Sequence, residues 1–394
     1  MDDDFSDRAF STRAVWSGTN HLEGSAVTPI FTTSTYQLND DRYRDWADGG
    51  QHSLIYSRWS SVNSEAVASK VASLEGAEDG ETLASGMAAI SSTLLSMLSK
   101  GDHMVTSPDI YGGTYGLLTS DFPRFGIDVT MADIRDPSSF EAAINENTKV
   151  LYVETITNPV LKVCDLEAMA SIAKEHGLIS VVDNTFATPW ACQPISMGFD
   201  VVIHSGTKFL NGHSDLTAGI VVGRSDLIKG VFKTKTRLGG TADAFMCYLL
   251  ERGMRTLHAR MPIHASNSSE LARRMQEHPE ISAVNHPSLE SYADYEVAKR
   301  IVPKGTGMLS FVVEGGDERA MRFVRALDII FEATSLGGIE SLVSCPFNTS
   351  DIFVPEEDRL EAGIVPGFVR MSVGIEDVDD LWSDIEQALL ASQS

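Results

Sequence analysis

Residues 178–208 read LISVVDNTFATPWACQPISMGFDVVIHSGTK. Two short apolar runs, Leu178 to Asp183 and Val201 to His204, flank a segment broken by Pro and Gly. Runs this short and this rich in β-branched residues are strands buried on both faces. The same alternation extends upstream. KVLYVE (149–154) is another buried strand, and the helix that follows, Asp165 to His176, is capped by Gly177. Before it stand a strand at His103 to Thr106, a helix from Met87 to Leu98, a strand at Glu81 to Ala84, and a helix from Val62 to Leu74 ended by Glu75-Gly76. Downstream, Gly219 to Val222 adds a strand. Apolar strands alternating with helices define an α/β fold, a mostly parallel central sheet covered by helices.

The pattern changes on either side. Residues 1–55 show little helical or strand period and read as an N-terminal arm lying against a neighbouring subunit. Residues 56–245 form the α/β domain. From 226 to 260 the chain is basic and helical, with one long helical stretch from Ala244 to about Gln276. Later, strands at Met308 to Val313 and Phe368 to Val373 alternate with helices at Glu318 to Leu327 and Val378 to Leu390. Residues 246–394 therefore read as a smaller C-terminal α+β domain.

Composition narrows the function. The 394 residues carry 31 Lys and Arg against 55 Asp and Glu, a net charge of −24. Such a field repels nucleic acid and anionic lipid, so neither is an expected partner. The four cysteines, Cys164, Cys192, Cys247 and Cys345, are scattered, which predicts neither a metal site nor a disulfide framework. Scattered thiols, an acidic Met1-Asp2-Asp3-Asp4 start and no long apolar run predict a cytoplasmic protein.

Ligands of α/β sheets bind at the carboxyl ends of the strands. One strand end here delivers Asp183-Asn184-Thr185, and the next delivers Ser205-Gly206-Thr207-Lys208. A third delivers Ser85-Gly86-Met87 onto a helix N-terminus, where backbone N–H groups can hold an anion. A carboxylate, a lysine and an anion cradle are what pyridoxal phosphate (PLP) requires: a partner for its ring nitrogen, an amine for its aldehyde and donors for its phosphate. Neither a GxxxxGK[ST] loop nor a GxGxxG turn is present, which argues against a nucleotide or nicotinamide site.

Several further motifs carry a resemblance. They are Tyr56-Ser57-Arg58, Leu74-Glu75-Gly76-Ala77, Tyr111-Gly112-Gly113-Thr114, ETITNP (154–159), Ser335-Leu336-Gly337-Gly338 and Arg370-Met371-Ser372-Val373-Gly374. With the strand ends above, they resemble the trans-sulfuration (Cys/Met metabolism) PLP enzymes, which include methionine γ-lyase, cystathionine γ-lyase and cystathionine γ-synthase. The resemblance implies the PLP-dependent transferase fold type I and a set of roles. Lys208 forms the Schiff base and moves protons, Asp183 pairs with the ring nitrogen, and Tyr111 stacks on the ring and assists acid–base steps. Gly86, Met87, Ser205 and Thr207 hold the phosphate, helped by Tyr56 and Arg58 of a neighbouring subunit. Arg370 grips the substrate carboxylate, and Asn158 and Ser335 line the site. It further implies a homodimer paired into a homotetramer, and no metal.

Departures from the family pattern bear on the substrate. Ser61-Val62-Asn63 stands where Asn-Pro-Thr is usual, Gly113 where methionine γ-lyases usually carry Cys, and Cys345-Pro346 where His-Pro is frequent. Gly116 and Thr334 stand where cystathionine-handling members commonly have Arg and Glu. A pocket without those charges disfavours a substrate with a distal charge, which is costly to bury unpaired. The expectation is γ-elimination by a carbon–sulfur lyase on methionine or homocysteine. The alternatives are a γ-replacement synthase of the cystathionine γ-synthase or O-acetylhomoserine sulfhydrylase type, and a cystathionine γ-lyase. A non-catalytic binding module is disfavoured by intact Lys208, Asp183, Tyr111 and Arg370.

Overall fold

The computed structural model describes residues 5, 7–38, 40–47, 53–349, 352 and 356–393. Strands β1 (Asp79–Leu83), β2 (His103–Thr106), β3 (Asp128–Met131), β4 (Thr148–Glu154), β5 (Ile179–Asp183), β6 (Val201–Ser205) and β7 (Gly219–Gly223) form one sheet. Its order is β1-β7-β6-β5-β4-β2-β3, with β7 antiparallel to both neighbours and the other pairs parallel. Sequence reading located six of these strands. It missed β3, whose side chains alternate between exposed and half-buried and so lack a continuous apolar run.

The middle strands carry the core. Val150, Leu151, Tyr152, Val153, Val181, Val182, Val201, Val202 and Ile203 are all fully buried. The helices Val62–Glu75 and Gly86–Met97 pack on this sheet, and the latter begins directly after β1. Gly76 ends the first of them in the left-handed conformation at φ 76°, which glycine adopts without a Cβ penalty.

A second sheet has the order β10-β11-β12-β9-β8: β8 (Ile281–Asn285), β9 (Met308–Val313), β10 (Phe331–Glu332), β11 (Leu342–Ser344) and β12 (Phe368–Ser372). The helices Gly316–Arg325 and Val378–Ala391 bury Phe323, Val324, Leu381 and Ile385 against Phe311, Val369 and Met371. The predicted single helix from Ala244 to Gln276 is two, Ala244–Met254 and Leu257–Gln276. The chain turns at Arg255-Thr256, and Arg260 donates back to the Gly253 carbonyl across the break.

Residues 1–55 are more regular than their composition suggests. Helices Phe10–Trp16 and Asp40–Ala47 are present. The first packs on its own chain, where the buried Lys70 ammonium donates to the Ala14 carbonyl (3.2 Å) at its end. The Ser61-Val62-Asn63 departure also has a structural outcome. Ser61 caps the helix 62–75 reciprocally with Ser64. Buried Asn63 accepts from the Phe31 N–H (2.8 Å) and donates to the Pro29 carbonyl (3.0 Å), tying the arm to the sheet domain.

Candidate active site

The carboxyl ends of β1, β4, β5 and β6 open onto a cavity of about 530 Å³, closed on its far side by residues 334–336 and Arg370 of the second sheet. Its lining brings together Gly86, Met87, Tyr111, Asn158, Asp183, Ser205, Thr207, Lys208, Ser335 and Arg370, ten of the twelve residues singled out from sequence. Tyr56 and Arg58 are elsewhere. Both are exposed, the Arg58 guanidinium sits 5.6 Å over the Tyr56 ring, and it donates to the Thr236 carbonyl (2.7 Å).

Lys208 reaches into the cavity from the turn after β6, and its ammonium donates to Ser335 Oγ at 2.7 Å. Burial, and secondarily the Arg370 charge, lower its pKa to about 8. Ser335 holds a left-handed backbone at φ 87°, a conformation that costs a non-glycine residue about 1–3 kcal/mol. Both ends of Ser335 are secured: its hydroxyl by Lys208, its carbonyl by Arg370 Nη2 at 2.9 Å. Arg370 also donates to Asn158 Oδ1 at 2.9 Å, so one guanidinium links a loop of the large sheet to the second sheet.

Asp183 ends β5. Its Oδ1 accepts the Thr185 N–H (3.0 Å) and the Thr185 hydroxyl. Thr185 Oγ1 in turn accepts from the Ser205 N–H (2.8 Å), so the ends of β5 and β6 are locked in register. In-register beside Asp183, on β4, is a second buried acid, Glu154. It accepts the Tyr111 N–H at 2.7 Å. Burial raises the pKa of both acids, and the Asp183 charge raises that of Glu154 further. Asp183 has two donors and Glu154 one, which favours negative charge on Asp183 over Glu154.

The helix 86–97 starts close to β6: a Cβ on Gly86 would stand 3.0 Å from the Cβ and Oγ of Ser205, a tight contact that glycine avoids. Ser85 Oγ accepts the Ala88 N–H (3.1 Å), and Gly86 and Met87 at this helix start line the cavity beside Ser205 and Thr207, whose hydroxyl also accepts the Ala218 N–H (3.1 Å). A lysine amine, a carboxylate at the neighbouring strand's carboxyl end and a helix N-terminus flanked by hydroxyls fit PLP by their donor chemistry. Among the described residues, no group of three His, Cys, Asp or Glu could hold a metal ion, and no helix is long and apolar enough to cross a membrane.

Sequence reading quoted Glu154 and Thr185 within motifs but gave them no role. The signal for Glu154 was present, since KVLYVE and LISVVD both end in an acid. What sequence alone lacks is the register that sets those two acids side by side.

The fold and the cavity define a PLP-dependent enzyme. Residues 11–390 match the family model described as Cys/Met metabolism PLP-dependent enzyme, and the chain belongs to that family. It is 39% identical over 387 residues to an L-methionine gamma-lyase of Porphyromonas gingivalis, covering 96% of each chain. It is 40% identical over 368 residues to a cystathionine gamma-lyase of Bacillus subtilis, covering 93% of this chain and 94% of that one. The crystal structure of cystathionine gamma-lyase from Lactobacillus plantarum complexed with L-serine superposes with a TM-score of 0.92 at 34% identity, covering 98% of this chain and 99% of that one.

Proposed function

We propose that this chain is a carbon–sulfur lyase that removes the γ-substituent of a small, uncharged sulfur amino acid, methionine or homocysteine. One molecule of water is consumed, and a thiol, a 2-oxo acid and ammonia are released. The observation that carries the substrate class is the cavity lining. Beyond Lys208, Arg370, Asp183 and Glu154 it holds only uncharged side chains among the described residues, including Ile90, Ile156, Thr334, Leu336 and Thr349. A distal carboxylate or ammonium entering that lining finds no opposite charge beyond those four among this chain's described residues, and leaving it unpaired costs about 1–3 kcal/mol.

When bound, PLP supplies an electron sink for negative charge at the substrate's Cα and Cβ. The protein's residues do the rest. The Arg370 guanidinium matches a substrate carboxylate bidentately. Lys208, its pKa lowered to about 8, would hold the cofactor's aldehyde and would take and return protons at the substrate carbons. Asp183 would pair with the cofactor's ring nitrogen. Tyr111 would cover the ring and assist proton movement, while Asn158 and Ser335 keep Arg370 and Lys208 aimed. The Gly86 and Met87 amides, with Ser205 and Thr207, hold the phosphate. Tyr56 and Arg58 complete that cradle in the neighbouring subunit, so the working unit is a homodimer, two of which pair as a homotetramer.

An assay panel tests this reading. Methionine, homocysteine, cystathionine and O-acylhomoserines are offered with and without added thiol, and 2-oxo acid and new thioether are quantified. The expected result is 2-oxo acid from methionine or homocysteine, with a specificity constant about tenfold to hundredfold above that for cystathionine. A cystathionine constant equal to or higher than theirs refutes the substrate assignment. Thioether formation outrunning 2-oxo acid formation with added thiol refutes elimination in favour of replacement.

A further inference from the structure

Tyr111 is 46% exposed and lies in no regular strand, yet the reading above requires its ring to be held in one place over the cofactor. Its own segment gives little: the helix Gly112–Gly116 that follows is five residues long, has no side-chain cap and holds Tyr111 through the Tyr115 N–H to its carbonyl (2.9 Å). Two contacts from outside and the space left by one glycine add the restraint. The Tyr111 N–H donates to buried Glu154 Oε1 at 2.7 Å. Two residues earlier, Asp109 is paired with Lys162 at 2.7 Å, both side chains nearly buried. Below the ring, a Cβ at position 113 would stand 2.5 Å from Tyr111 Cε1 and 3.0 Å from Met87 Sδ, so the ring rests on the space that Gly113 leaves.

Glu154 is the contact whose burial makes least sense without such a task. It is 4% exposed at the end of a strand whose neighbour already supplies the acid that the ring nitrogen needs. No cation is within ion-pair distance of it among the described residues, and burying a carboxyl beside a carboxylate is unfavourable unless it makes a hydrogen bond that matters. Its polar contact goes to the backbone of the one residue whose ring covers the cavity.

We propose that Glu154 is a positioning residue for the reaction: an uncharged acceptor that anchors the Tyr111 backbone and so fixes where the Tyr111 ring and hydroxyl stand. The proposal rests on the reading of Tyr111 as the residue that covers the cofactor ring. Glu154 is assigned no contact with substrate. A glutamine carbonyl can replace a protonated carboxyl as the acceptor, so charge is not what the position requires.

The test combines amide exchange with kinetics. In Glu154→Ala, the Tyr111 amide should exchange at least about tenfold faster than in the wild type, measured on cofactor-free and cofactor-loaded protein. Its kcat should fall at least about tenfold with KM within about threefold, because a displaced ring weakens the transition state more than binding. Glu154→Gln should bring exchange and kcat back to within about threefold of wild type. The Glu154→Ala/Tyr111→Phe double variant should be no slower than the slower single variant, since the two act as one unit. If Glu154→Ala does not fold, Glu154→Asp withdraws the acceptor by one methylene and carries the same expectations. Unchanged Tyr111 exchange in the variant overturns the proposal, as does a double variant whose loss equals the product of the single losses. Full turnover by Tyr111→Phe would instead refute the role given to the Tyr111 hydroxyl, while the exchange result would still decide whether Glu154 anchors the segment.

Discussion

The cavity and the segment from Leu22 to Arg58 are built on opposite terms. In the cavity, Lys208, Asp183, Glu154 and Arg370 each have a partner from their own chain before any ligand arrives. In the segment, parts of the backbone are also tied down: Thr35 and Tyr56 form a bridge, and Ser57 N–H donates to the Ser34 carbonyl at 3.0 Å. Several of its apolar side chains are nevertheless unburied. Leu22, Val27, Ile30, Leu38 and Tyr43 are all exposed, Leu38 by 54%. Exposed apolar side chains on such a segment are the kind of surface that another molecule covers. On the proposed reading, the difference separates the half of the site that one chain builds alone from the half that a second copy would supply.

The sharpest challenge to the single-chain half is Lys208→Ala. It removes the amine that captures the aldehyde and the group that carries protons, so turnover should fall by at least about three decades, roughly 4 kcal/mol of barrier. Absorbance of the purified variant should show no covalently held cofactor. Turnover near the wild-type rate would break the assignment of the cavity as the active site.

Asp183→Asn probes the opposite wall with a smaller change. The amide keeps the shape and one acceptor but cannot hold a proton on a ring nitrogen by charge, and turnover should drop by about two decades. Cofactor content, read by absorbance after alkaline release, should stay close to one per chain. A variant with the wild-type rate and pH profile would move the role from Asp183 to Glu154, its in-register neighbour.

The arm is tested by mixing. Arg58→Ala and Lys208→Ala proteins should each be strongly impaired alone, for different reasons. Random re-association of equal amounts makes about half the dimers hybrid, each with one intact site of two, so activity should return to about a quarter of wild type. No recovery in hybrids verified by mass would show that each site belongs to a single chain, and the contrast between the two regions would then have another cause.

Much of this contrast was legible in the sequence, unevenly. Strand ends announce themselves because an apolar run must stop where a polar, ligand-facing residue begins, as at Asp183, Ser205 and Ser85. The strand β3 did not, since edge position lets its side chains alternate, and neither did the short strands β10 and β11, which register with neighbours rather than pattern defines. The helix Phe10–Trp16 was hidden for a similar reason. Its stability comes from packing on helix 62–75, which begins 46 residues further on, and from Lys70 of that helix. In the site, ten of the twelve chosen residues meet at one cavity, but the partnerships that aim them, Ser335 between Lys208 and Arg370 or Glu154 behind Tyr111, join segments that sequence spacing cannot relate.

The smallest expected effect concerns the Lys208 amine itself and separates it from lysines on the surface. Burial and the Arg370 charge lower its pKa to about 8, so the free base grows as pH rises through that value. Going from pH 7 to pH 9, the free fraction climbs from about a tenth to about nine tenths, roughly tenfold, and then levels off. A surface lysine titrating near 10.4 would instead gain about a hundredfold over the same interval and keep rising. The measurement is the rate at which cofactor-free protein regains the visible absorbance of bound PLP, taken at saturating PLP across that range. A rise of about tenfold that flattens by pH 9 supports a pre-tuned amine inside a cavity that one chain assembles. A hundredfold rise continuing past pH 9 would mean that the amine is solvated until the neighbouring arm closes over it. In that case Lys208→Ala would still be inactive, but the cavity would belong with the arm as something only the dimer completes.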